Sequence, residues 1–407
     1  MKIGAFEVNG SGVEEAKPSV FTSHRVTLPT GLLKEVGEVN RVQMLILNKY
    51  RNDGVGFHSF VDKEDSQQYV YTKFEPQQCH YVFPCFDQPD IKATWTLTTT
   101  TEADWTVISN EAEVGEPDSV GRAESCLSIL NEAQELFQTD FKFASTKATS
   151  FQTSVRISTY LYAIVAGPFD YHERETAGMP KMRIYARQSL VKDVNHADMF
   201  NATECGIRFY EEFFGRAYPF SKYDQVFVPE FVSGAMEQVG CVTYNEVYLF
   251  RGRALTLRRK SVFTITNLHE LAHMWFGNLV TMQWWNDLWL NESFATFMAF
   301  LAMSKSQPLQ QFHDTCWVGF MEDKGWGISA DQLGSTHPIC CEIAHTGEAE
   351  SIFDGISYGK GAAWLKQLYY ILGHETMSKG LAVYFQKHEW GNTTLPDFVK
   401  CLEDAYR

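Results

Sequence analysis

The sequence predicts an α+β fold in two parts, a β-sheet domain over residues 1–165 and a mainly helical domain over residues 166–407. Three observations predict it. Short alternating or β-branched runs bounded by turn residues fill the first part, and from about residue 190 the apolar residues recur at helical intervals. The chain has 407 residues, 44% of them apolar and 14% aromatic, enough to pack the cores of about two to three domains.

In the first part, "RVQMLILNKY" (41–50), "ATWTLTTTTEADWTVIS" (93–109) and "ISTYLYAIVAGPFDY" (157–171) read as strands, and "NDGVG" and "GEPDSVG" read as the turns that separate them. The second part opens on "MFNATECGIRFYEEFFGRAY" (199–218), whose apolar positions trace one face of a helix. Two strand-like passages follow, "YDQVFVPEF" (223–231) and "GCVTYNEVYLF" (240–250), and nearly everything from there to residue 405 reads as helix. No internal repeat, low-complexity tract or long linker interrupts this order.

The net charge of −15 argues against nucleic-acid binding, which draws on clustered Lys and Arg; the densest basic stretch is "RGRALTLRRK" (251–260). The nine cysteines are scattered without a C-x-x-C pair, which points to a reducing compartment and to neither a disulfide framework nor a thiolate zinc knuckle. "MKIGAFEVNG" lacks the apolar stretch of a signal peptide, and the longest apolar run, "ATFMAFLAM" (295–303), is too short to span a bilayer. A soluble, cytoplasmic protein is the expectation.

The chemistry concentrates in "HELAHMWFGNLVTMQWWNDLWLNE" (269–292). Residues four apart on a helix lie on one face, so His269 and His273 can point their imidazoles at one metal ion while Glu270, one step round, stands beside the water. A catalytic zinc takes three protein ligands and keeps a position open. The "GN" turn at 277–278 ends the first helix and a second begins after it, which brings Glu292 back alongside as the third ligand. Asn286, Asp287 and Asn291 are available to support the ligands, or equally as helix caps or solvated residues. Two imidazoles and a carboxylate suit Zn²⁺, one per chain, although metal supply can substitute another ion.

These residues, with "WFGNLVTMQWWNDLWLNESFA", resemble the aminopeptidase N family of gluzincin metallopeptidases. The likeness extends to "YTKFEPQQCHYVFPCFDQPDIKATW" (71–95), "VPEFVSGAMEQVGCVTY" (228–244), "STHPI" (335–339) and "SIFDGISYGKGAAWL" (351–365), in the order the family has them. The resemblance implies a saddle-like N-terminal β domain, a thermolysin-like catalytic domain, and substrates that are peptides with a free N-terminal amine. It implies that Glu270 takes a proton from zinc-bound water and returns it to the leaving amine, and that Tyr358 donates to the oxyanion. Glu237 in "GAMEQ" would bind the substrate's α-ammonium, with Glu75 of "TKFEP" as a second amine-binding carboxylate. Gly234 and Ala235 would contribute backbone contacts, Met236 an apolar wall and Gln238 a contact to the peptide backbone.

Two residues depart from the family pattern. Gln238 stands where asparagine is usual, so any such contact must be re-aimed, and Lys73 stands where glutamine is common, placing a cation near a site for an ammonium. The resemblance also implies a chain truncated at both ends, lacking the first strands of the N-terminal domain and the C-terminal helical domain. Two alternatives go with it: a non-catalytic relative serving as a binding or scaffold module, and a bifunctional enzyme like the leukotriene hydrolases, against which Ala235 counts because those carry glycine there. The preferred N-terminal residue and the oligomeric state are left open.

Overall fold

The fold is known from a computed structural model, which describes residues 1–13, 21–22, 25–115, 118–139, 145–252 and 254–407. At the start, the strand Lys2–Val8 pairs antiparallel with Val42–Leu47. An antiparallel four-stranded sheet follows, in the order Gly56–Val61, Gln68–Lys73, Ile164–Gly167, Thr106–Ser109. Its residues alternate between faces as the pleat requires: Tyr69 and Tyr71 enter the main core, while Val70 packs with Val107, Phe151 and Ala166 on the other side. A separate pair, Thr98–Glu102 with Thr146–Ser150, flanks it.

Two elements of this half depart from the sequence expectation: Thr159–Leu161, in a run read as strand, is a 3-10 turn, and the other is a helix. "GEPDSVG" reads as a turn between strands, but Asp118–Phe137 is a helix, α1; residues 116–117 of that stretch lie outside the described residues. Leu127, Leu130, Ala133 and Leu136 carry helical spacing in a largely polar segment, too sparse a stripe to stand out. Leu136 and Phe137 lie directly over Gly4, where any side chain would collide with them.

Gly167 ends the four-stranded sheet and Phe169 begins a mixed five-stranded one, ordered Phe169–Arg174, Lys181–Arg187, Lys222–Val228, Cys241–Asn245, Ala235–Met236. Its central strand, Lys222–Val228, runs parallel to both neighbours and is buried at every residue, as parallel strands covered on both faces are. The crossover into it is α2 (His196–Phe214), whose buried face runs Met199, Thr203, Gly206, Tyr210, Phe213 and which Gly215 terminates in the left-handed region, φ 59°.

Helices then dominate: α3 (Leu257–His273), α4 (Leu288–Lys305), α5 (His313–Asp331), the single turn α6 (Thr346–Ala349), α7 (Gly361–Leu372), α8 (His374–His388) and α9 (Leu395–Tyr406). Helix α4 is buried nearly all round from Leu288 to Met303, which makes it the axis of this half. It runs antiparallel to α3: Ser261 meets Met303, and His269 meets both Thr296 and Glu292. Just before α7, residues Ile356–Lys360 form a π-helical turn. A Cβ on Gly359 would lie 2.0 Å from the Asp323 carbonyl oxygen, and one on Gly327 would lie 2.6 Å from the Lys360 nitrogen, so the main chains of α5 and the π turn touch.

A buried ion cluster ties the two halves together. Arg187 forks onto Glu246, at 2.6 and 2.7 Å, and its remaining nitrogen reaches Asp62. Arg187→Ala would leave Asp62 without a cation and Glu246 with only the half-exposed Arg251. A loss of about 3–5 kcal/mol is expected, read as a lower urea midpoint at unchanged m-value.

Candidate active site

Helix α3 is capped by Thr256, whose hydroxyl accepts the Arg259 N–H, and buries Phe263, Asn267, Leu268, Leu271 and Ala272. That burial fixes its rotation and aims His269 and His273, one turn apart, at α4. Their Nε2 atoms lie 3.1 Å apart, and Glu292 Oε2 of α4 is 3.2 Å from the first and 3.5 Å from the second. The far side of each ring is held. His273 Nδ1 donates to the Phe276 carbonyl at 3.1 Å, which leaves Nε2 its lone pair, and His269 Nδ1 lies 3.3 Å from Thr296 Oγ1.

Around this trio stand further buried carboxyl groups. Carboxylate oxygens of Glu75, Glu237 and Glu292 lie within 4.8 Å of one another, and Glu237 Oε1 is 3.9 Å from His273 Nδ1. Burial raises Glu75 well above the ordinary carboxylate range and Glu237 and Glu292 raise it further, against the pull of Lys73 and His273. Glu270 is likewise raised by burial and by Glu237. Burial draws His273 down, but the carboxylates of Glu237 and Glu292 push it up to about 10. Without a metal ion those carboxylates hold a second proton on His273, which an ion taking Nε2 would displace.

Each carboxylate is placed from a different direction. Glu75 follows the strand Gln68–Lys73, and the next residues reach across to the helical half, with Thr346 donating to Gln77 and Gln78 to Glu350. Lys73 Nζ donates to the Glu75 backbone carbonyl. Gly234 to Glu237 lie at the sheet's edge, where Ala235–Met236 pairs antiparallel with Thr243–Tyr244. Asn245 secures this segment: its side chain donates to the carbonyls of Phe231, at 2.7 Å, and Ser233, and its backbone donates to Gly234. Met236 is buried beside Glu237.

Gln238 is placed differently from its neighbours. Its amide donates to the Thr72 carbonyl at 3.0 Å and accepts from Thr243 at 2.9 Å, and it is wholly buried. The extra methylene carries the amide across to the N-terminal sheet, so this side chain joins two sheets. Tyr358, on the π turn, stacks its ring parallel to His269 at 6.0 Å and lies 5.7 Å from Trp326. Burial and the carboxylate cluster raise its phenol well above the ordinary value, so it stays protonated.

The donor set fits a zinc ion. Two imidazoles and one carboxylate converge with atoms within 4.8 Å of one another, and the buried Oε1 atoms of Glu75 and Glu237 have no hydrogen-bond partner among the described residues. A carboxylate oxygen left bare in a protein interior calls for a cationic partner.

Comparison with known proteins places the chain in a family. Residues 12–127 match the peptidase M1 N-terminal domain, and residues 199–407, more than half the chain, match the peptidase family M1 domain. The chain belongs to peptidase family M1, the aminopeptidase N family. It is 40% identical over 403 residues to aminopeptidase N of Streptomyces lividans, covering 98% of this chain and 43% of that protein. It is 35% identical over 405 residues to aminopeptidase M1-D of Oryza sativa subsp. japonica, covering 97% and 42%, and 33% identical over 393 residues to puromycin-sensitive aminopeptidase of Caenorhabditis elegans, covering 95% and 37%. This M1 chain thus spans about two-fifths of the length of the relatives it matches. An N-terminal β-sheet domain followed by a helical peptidase domain is the family's order, and aminopeptidases of the family are generally zinc metalloenzymes. No helix among the described residues is long and apolar enough to cross a membrane.

Of the residues flagged to support the ligands, the M1 chain brings only Asn291 near them; its amide nitrogen lies 3.0 Å from Met282 Sδ and beside Gly277. Asp287 instead accepts from the Leu395 backbone and from Cys340, holding the start of α9. Asn286 faces Cys340 as well. Sequence reasoning missed Thr296 and Asn245 altogether. Thr296 lies four residues beyond Glu292, the helical spacing that would have found it.

Proposed function

We propose that this M1 chain carries the active site of a zinc aminopeptidase that removes the N-terminal residue of peptides. The observation that carries the proposal is the pair of buried carboxylates, Glu75 and Glu237, with unpartnered oxygens beside the His269–His273–Glu292 trio. A peptide's α-ammonium satisfies both and ends the chain there, whereas an internal segment would leave them bare and desolvated.

His269, His273 and Glu292 would hold the ion. Zinc, when bound, supplies Lewis-acid polarisation that makes water a competent nucleophile near neutral pH. Glu270 takes the proton of the attacking water and delivers it to the leaving amine; its raised proton affinity suits a group that must both accept and release. Tyr358 donates to the oxygen on which negative charge develops. Glu237 and Glu75 anchor the ammonium, Gly234 and Ala235 offer main-chain contacts, Met236 walls the first side chain, and Gln238 keeps the Glu237 segment joined to Thr72. The nine free thiols support a reducing compartment, the cytoplasm.

The test compares an alanyl chromogenic amide with its N-acetylated form on the zinc-loaded protein. Turnover of the free amine alone is expected; equal cleavage of the acetylated amide would remove the exopeptidase reading. Glu237→Gln takes away a charge-assisted hydrogen bond worth about 1.5–3 kcal/mol, so kcat/KM for the free amine should fall roughly 10- to 150-fold.

A further inference from the structure

Asn278 is half of the turn that ends the metal-bearing helix, and nothing in that turn calls for a fully buried side chain; its exposure is 0%. Its backbone N–H donates to the His273 carbonyl at 3.0 Å, which locks it to the residue that carries a metal-facing imidazole. Its side-chain Nδ2 crosses to the other end of the site and donates to the Glu237 carbonyl at 2.8 Å, 41 residues away in sequence. The turn itself is held in place. Gly277, at φ +125°, lies so close to His273 that a Cβ would stand 3.2 Å from Nδ1, and its carbonyl accepts from Tyr160, at 3.2 Å, and Thr281. Asn278 therefore links the main chain of the amine-binding carboxylate to the main chain of a metal ligand through one short side chain.

We propose that Asn278 is a positioning residue that fixes the separation between the ammonium anchor and the metal centre, and so selects the first peptide bond for cleavage. The inference rests on the aminopeptidase reading and adds to it the part that measures length. In an α-amino acid two bonds separate the amine nitrogen from the scissile carbonyl carbon. A β-amino acid inserts one more carbon, about 1.5 Å of bond length, into that path. A misplacement of about 1 Å of the reacting atoms is enough to lower a rate roughly 100-fold. A site with a rigid anchor-to-metal distance must therefore reject the β-amino acid, and a site whose tie is cut must tolerate it better.

The experiment measures kcat/KM for α-alanyl and β-alanyl chromogenic amides on the zinc-loaded protein and on Asn278→Ala and Asn278→Asp, each checked for zinc stoichiometry and melting temperature. Both variants keep the backbone N–H to His273 and lose the amide donor to Glu237. The wild type should prefer the α-alanyl amide by about 100-fold or more. In either variant that folds and holds one zinc, that preference should shrink at least tenfold, with kcat for the α-substrate falling more than KM rises. A preference unchanged in a folded, zinc-loaded variant overturns the proposal. So does a wild type that favours the α-substrate by less than tenfold, a result that needs no variant to fold. A zinc-loaded wild type inert to both amides would instead overturn the aminopeptidase reading itself.

Discussion

Glu270→Gln should lower kcat by about 10²–10⁴-fold while leaving one zinc bound per chain. Glutamine keeps the shape and burial of Glu270 but cannot accept the water's proton, and the three metal-facing donors, His269, His273 and Glu292, do not include it. Stability should move the other way. Burial and Glu237 raise the proton affinity of Glu270, so its ionised form is disfavoured in the folded chain. A carboxylate raised on folding stabilises the fold below its unfolded value and withdraws that stability as pH climbs through the folded one. In the metal-free protein near neutral pH, Glu270→Gln removes this penalty, and its melting temperature should equal or exceed the wild type's. Metal analysis, turnover and a melting curve decide it. Wild-type turnover in the zinc-loaded variant would remove Glu270 from the mechanism.

Tyr358→Phe should cost about 2.7–4 kcal/mol of transition-state stabilisation, or roughly 10²–10³ in kcat, with KM nearly unchanged. The phenol's hydrogen bond strengthens only as charge appears on the carbonyl oxygen, so substrate binding feels little of its loss. Phenylalanine retains the parallel stack on His269 and the contact with Trp326, which separates the hydroxyl's role from the ring's packing. A phosphinic peptide that mimics the tetrahedral state should lose affinity in parallel with kcat. A kcat within threefold of the wild type would reduce Tyr358 to a packing residue.

Much of this site was legible in the sequence because its chemistry is local. His269, Glu270 and His273 share one helix whose period dictates their directions, and Glu292 lies one turn into the next helix, after a turn that the residues announce. Part of the sheets was legible for the same reason, since alternation is a property of adjacent residues, but Gly56–Val61, Gln68–Lys73, Thr146–Ser150 and Lys181–Arg187 were not read as strands. What escaped were contacts that close across long stretches of chain. Asn278 carries no periodicity and reads as a turn residue until Glu237 is seen beside it. Gln238 reads as a lengthened substrate contact until its amide is found bridging Thr72 and Thr243. Helix α1 was hidden by a different cause, a sparse apolar stripe in a polar segment, where short-range patterns of turn and helix compete.

The direct main-chain contact between α5 and the π turn sets the two ends of the site apart in how they can change. Tyr358 is seated where Gly327 and Gly359 let backbone touch backbone, so exchanging nearby side chains leaves its hydroxyl where it was. The segment that carries Glu237 is a two-residue edge strand, and beyond that short main-chain pairing it is tied by side-chain amides, Asn245, Gln238 and Asn278, each open to single substitution. On the proposed function, drift and engineering would therefore retune the Glu237 end more easily than the Tyr358 end.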